Sequence, residues 1–219
     1  SMTKACSEFL QKAGNLCVVC SSIKEEAIRL IDESYSTIVS DFQSNLKPFL
    51  EQQNVKELSN RDGRILAAFF SDRKKALKGR LPYRSKVGYE ILGAIEHYVA
   101  SSLHSLKDGF KIKSDGFLAA MITELTLIVH ELKDPFSSLK QVDITPDDSI
   151  ISFVAISTLI ANPSDIRHLS SALKYQFQRD EWVIFVTTDE TDILSKEKEI
   201  FNIFALQCSK PEWAFDYHR

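Results

Sequence analysis

Apolar residues recur at helical spacing along most of the chain, and a few short stretches break that rhythm. Residues 3–13 have helical spacing and end at Gly14-Asn15, a pair suited to a helix C-terminus. The next stretch, 16-LCVVC-20, is continuously apolar and predicts a short buried strand. A helix over 21–42 follows: serines open it, acids come early, and Ile23, Ala27, Leu30 and Ile31 share one face. Amphipathic helices are predicted near 46–58, 61–77, 86–106 and 116–133. Asn60, Gly79 to Pro82, Lys107-Asp108-Gly109 and Asp134-Pro135 punctuate them. Helices over 146–162 and 163–177 come next, the second with Ser164 or Asp165 near its N-terminus. Then come a strand at 182–187, an acidic corner, a short charged helix at 195–200 and a last apolar segment at 200–208. This order predicts an α/β fold: residues 1–45 and 136–219 form the core, and 46–135 form a large all-helical insertion.

Composition narrows the classes. The chain has 219 residues, enough for one large domain or two small ones, with only 7 glycines and 6 prolines, which suits long helices. Its formal net charge is -3, so a polyanion would need a local basic patch. No secretory signal is evident, and the longest apolar stretch, 117-FLAAMITELTLIVHEL-132, carries Glu124 and Glu131 and is too short for a bilayer. A soluble, cytoplasmic protein without a membrane partner is expected. Ser1-Met2 reads as a cloning scar ahead of the native sequence. Cys17 and Cys20 have CxxC spacing, but on a strand they point to opposite faces, so buried thiols in a reducing compartment are expected. No GxGxxG, P-loop or GxSxG motif occurs, which removes support for nucleotide-cofactor, NTPase and α/β-hydrolase readings.

The acidic corner carries the first candidate chemistry. In 183-VIFVTTDETDIL-194 an apolar run ends on Asp189, and Asp192 lies three residues on. Sites in open parallel sheets form at the carboxyl ends of strands. Paired carboxylates there suit a hard cation such as Mg²⁺ or Mn²⁺. The structural alternative is that Asp189 caps the turn and Asp192 is solvated. Asp165 at a helix start, and Glu25 and Glu26 after strand 16–20, are of the same position type; each alone is ordinary helix-dipole chemistry.

Together, 164-SDIRHLSSALKY-175 and 183-VIFVTTDETDIL-194 resemble the closing half of a PIN domain. 16-LCVVCSSIKEEAIRLID-32 resembles that family's second strand and following helix, with Glu26 in register and Glu25 the alternative; 203-IFALQCSKPEWA-214 resembles its last strand. The resemblance implies a PIN-like parallel sheet flanked by helices and a metal-dependent endoribonuclease. Its acidic set would be Asp165, Asp189, Glu26 (or Glu25) and Asp192, holding Mg²⁺ or Mn²⁺ for hydrolysis of RNA. The family's first strand, ending in Asp, has no counterpart before residue 14. A second copy or a partner chain would then complete the sheet.

The second candidate chemistry is basic. 73-RKKALKGRLPYRSK-86 contains Arg73, Lys74, Lys75, Lys78, Arg80, Arg84 and Lys86 with no acid, and Tyr83 lies among them. Cations with an aromatic suit single-stranded RNA; a solvated helix C-terminus explains the same residues. Asp62 reads as a surface helix start, His97, His104 and His130 lack metal-site spacing, and His168, in the Asp165 helix, reads either as a surface residue or as a neighbour of the acidic site. Three readings result: a PIN-like ribonuclease, a catalytically dead PIN-like scaffold binding RNA or protein, and a helical protein–protein module.

Overall fold

The computed structural model describes residues 18–81, 86–179, 183 and 191–205. They fall into two compact units, one of Glu25–Leu139 and one of Val18–Lys24 with the chain from Lys140 onward.

The helical unit takes in α1 (Ser21–Gln52) from Glu25 onward, and the helix's buried residues Ile31, Ile38, Phe42, Leu46 and Leu50 follow helical spacing. The expected break between 42 and 46 is absent, and Pro48 lies inside the helix. A turn ahead of it, Ser44 Oγ and Asn45 Nδ2 donate to the carbonyls of Ser40 and Asp41, each at 2.8 Å. Leu46, Phe49 and Leu50 pack on both sides of the proline, so burial overrides its local cost. Helix α1 ends on Asn54 in the left-handed region at φ 56°. Val55 N–H donates to the Leu50 carbonyl at 2.9 Å and Asn54 N–H to that of Glu51 at 3.0 Å. That pairing is a Schellman end, and Asn tolerates its backbone better than most residues.

The unit continues with β2 (Glu57–Leu58), α2 (Gly63–Leu77), α3 (Lys86–His104), β3 (Ile112–Lys113) and α4 (Ser114–Ser138). β2 and β3 pair antiparallel, Glu57 opposite Lys113 and Leu58 opposite Ile112. Phe42, Phe49, Phe69 and Phe70 form an aromatic cluster with ring centroids 5.4 to 5.8 Å apart. Ile91, Leu92 and Ile95 of α3 and Phe117, Met121 and Leu125 of α4 complete the core. Helix α4 runs past Asp134-Pro135, where a stop is predicted, because Leu132 and Phe136 pack against the core on either side of Pro135.

In the second unit, β1 (Val18–Cys20) pairs in parallel with β4 (Lys140–Val142), Val19 opposite Gln141. The first half of this pair is predicted by the sequence; β4 is not, since Lys140 and Gln141 are polar and exposed and the strand is only 3 residues long. Ser21 Oγ donates to the Val142 carbonyl at 3.2 Å and accepts from Gln141 Nε2 at 3.1 Å. Helices α5 (Asp148–Thr158) and α6 (Pro163–Arg179), a 3₁₀ turn (Leu194–Lys196) and α7 (Glu197–Ala205) follow. Their core is Val154, Leu169, Leu173, Ile193, Ile203 and Phe204.

Residues 200–205, expected to open a last strand, are helical. Ile200, Ile203 and Phe204 are buried together at i, i+3, i+4, which is the helical period rather than a strand's. The expected strand 182–187 lies outside the described residues except Val183, which packs against this core. The described chain is thus mostly helical with a small parallel sheet. No single described helix is long and apolar enough to cross a membrane.

Candidate functional site

Asp165 sits where the chain builds a well-defined helix start. Asn162 Oδ1 accepts from Ser164 N–H at 3.1 Å, and the Asn162 carbonyl accepts from Ile166 N–H at 3.1 Å. Asn162 is therefore the cap and Pro163 the first helical residue, where its missing N–H and fixed φ cost nothing. Asp165 falls in the first turn and is 9% exposed. Helix α6 packs against β1 of the parallel pair. A carboxylate at this position also gains from the helix dipole.

The other acids are placed differently. Asp192 is half-buried in the turn that precedes the 3₁₀ element. Glu25 is exposed and Glu26 half-buried, so the backbone turns Glu26 rather than Glu25 inward. Both lie in the second turn of α1, not the first as expected, because the helix begins at Ser21 immediately after β1 with no loop between. Asp189 lies outside the described residues. Among the described residues no group of three or more His, Cys, Asp or Glu side chains gathers to hold a metal. Cys20 is buried, and burial pushes its thiol pKa up, as suits an inert core thiol; Cys17 lies outside the described residues.

The basic stretch is reshaped by the fold. The sequence shows no acid among its cations, but α1 supplies one. Asp41 is 2% exposed, and its Oδ1 lies 3.1 Å from Arg80 Nη1, 3.7 Å from Arg73 Nη1 and 3.2 Å from Asn45 Nδ2. Arg73 also lies over the Phe69 ring, 5.9 Å from its centroid. Lys74 pairs with Glu96 of α3. Lys75 and Lys78 are exposed and form no ion pair among the described residues. Tyr83 and Arg84 lie outside the described residues, and Lys86 opens α3. Asp41 is the residue that reading along the chain misses. Its signal was present: a lone acid between Ile38 and Phe42 on the apolar face of α1.

Asp62 behaves as a local brace. Its Oδ2 accepts from Ser59 N–H at 2.7 Å and Ser59 Oγ at 2.8 Å, just ahead of α2. His97 and His104 are exposed on α3, and His168 is half-buried one turn after Asp165. Comparison of the chain with protein-family models, curated proteins and solved structures finds no match.

Proposed function

We propose that the chain is a PIN-like, metal-dependent endoribonuclease whose acidic set is Asp165, Asp189, Glu26 and Asp192. The observation that carries this reading is Asp165, a carboxylate 9% exposed in the first turn of the helix that packs on a parallel strand. The resemblance in sequence assigns a metal ligand to that same position.

The donor set is chemically suited to Mg²⁺ or Mn²⁺, which take carboxylate and water oxygens. When bound, such an ion would activate water and stabilise charge on the scissile phosphate. The chain's own part is geometric. The Asn162 cap and Pro163 fix the helix start, so Asp165 is held in place before any ligand arrives. Glu26, half-buried, is the donor of choice over exposed Glu25.

The alternative reading is a catalytically silent scaffold that still binds RNA or a protein partner. Calorimetry with Mn²⁺ separates the two. Saturable binding that is lost in Asp165→Asn and in Asp189→Asn, with Mn²⁺-dependent cleavage of RNA by the unmodified chain, is the expected result. A folded chain that takes up no Mn²⁺ would leave the scaffold.

A further inference from the structure

The cations flanking α2 fall into two sets, and only one has a structural explanation. At the C-terminal end of α2, Lys74, Lys75 and Lys78 are placed where the helix dipole favours positive charge. Arg73, Arg80 and Lys74 also meet carboxylates there. At the N-terminal end, Arg61 precedes the helix and Arg64 lies in its first turn, where the dipole disfavours cations. Neither has an ion-pair partner among the described residues.

The fold brings a second cationic segment to this end. β2 and β3 pair, and Asn60 Nδ2 donates to Asp108 Oδ1 at 2.8 Å, so the segment before α2 is tied to the turn after α3. In that turn Phe110 N–H donates to the Lys107 carbonyl at 3.0 Å, and Gly109 has φ 88°. A positive φ at the third turn position demands glycine, so the turn shape is fixed by the sequence. It leaves Phe110 61% exposed, between exposed Lys107 and exposed Lys111. Lys107 and Lys111 form no ion pair among the described residues, whereas Lys113 lies opposite Glu57 and Asp108 is engaged by Asn60.

From this placement we infer that the Phe110 turn and the Arg61–Arg64 segment form a binding surface for single-stranded nucleic acid. Phe110 serves as a stacking platform for a base, and Lys107, Lys111, Arg61 and Arg64 neutralise the phosphates around it. Sequence-tolerant single-strand binding needs this combination of a cationic track and an exposed aromatic face. A rigid turn limits the entropy lost when a base stacks. The surface shares only its ligand class with the ribonuclease reading and does not require the acidic set to work.

The test is fluorescence anisotropy with a labelled oligouridylate in EDTA, so that neither metal nor cleavage contributes. Phe110→Ala should weaken binding about tenfold, within the range found for base–aromatic stacking, with the salt slope unchanged. Phe110→Tyr should restore affinity. Lys107→Ala with Lys111→Ala should lower the slope of log K against log salt by roughly 1.4, as expected for two phosphates on a single strand. All these side chains are exposed, so thermal unfolding should be unaltered. Binding insensitive to Phe110→Ala but lost in Lys75→Ala with Lys78→Ala would overturn the assignment. So would equal competition by heparin with no dependence on Phe110, or no binding at all. A chain that binds oligouridylate through Phe110 but takes up no Mn²⁺ would leave this inference standing and remove the nuclease.

Discussion

At the C-terminal end of α2, Arg73, Lys74 and Arg80 meet carboxylates from α1 and α3, whereas Arg61 and Arg64 at its N-terminal end meet none among the described residues. The denser run of charge is the one more tightly built into the fold. Its arginines reach a carboxylate only 2% exposed, and one of them covers a core aromatic ring. The sparser set is assembled from segments more than 40 residues apart and is held by a strand pair and a side-chain hydrogen bond. A charge run along a chain therefore says little about free charge in space, because the counter-ions come from elsewhere in the sequence.

The hardest test of this contrast is at Phe69, fully buried beneath Arg73 and in contact with three other phenylalanine rings. Phe69→Ala should cost about 3–5 kcal/mol in urea unfolding. A loss below about 1 kcal/mol, the level typical of sites outside the core, would mean that this end of α2 is not anchored as described. Next in size is Asp41→Ala. It leaves Arg73 without its carboxylate and removes a hydrogen bond from Asn45. About 2–3 kcal/mol is expected, below the usual figure for breaking a buried pair because Arg80 is half in water. A double-mutant cycle of Asp41→Ala with Arg80→Ala should show coupling; strict additivity would mean that Arg80 is as free as Lys75. Arg61→Ala and Arg64→Ala should change stability by no more than about 0.5 kcal/mol, the surface norm.

How far the sequence foretold this structure depended on whether a signal was local. Helices α2 and α3 were legible because their apolar spacing and their Gly and Pro boundaries agree. The predicted break between 42 and 46 falls on the polar run Gln43-Ser44-Asn45, and only the burial of Leu46 and Leu50 reveals why helix α1 continues through it. Strand β4 was missed because Lys140 and Gln141 carry no apolar alternation; the pairing is a tertiary fact. The helix start that holds Asp165 is legible from the sequence around Ser164 and Asp165, though its cap is Asn162. The Phe110 turn read only as punctuation, since Gly109 marks a turn but not its neighbours in space.

The smallest effect probes the remaining cations of the C-terminal end. Lys75 and Lys78 are exposed and lie by the last turn of α2, so their structural role rests on the helix dipole alone. Replacing both with alanine should cost about 0.5 kcal/mol at low salt. The loss should vanish near 1 M salt, where the screening length falls to about 3 Å. A group held by a buried partner would behave otherwise: Asp41→Ala should keep most of its cost at high salt, because the Arg73 pair is shielded from counter-ions. Comparing the two variants across salt therefore measures how much of this end is buried ion pairing and how much is dipole. If both losses disappear together, Asp41 works as a surface charge, and the contrast between the two ends of α2 reduces to composition.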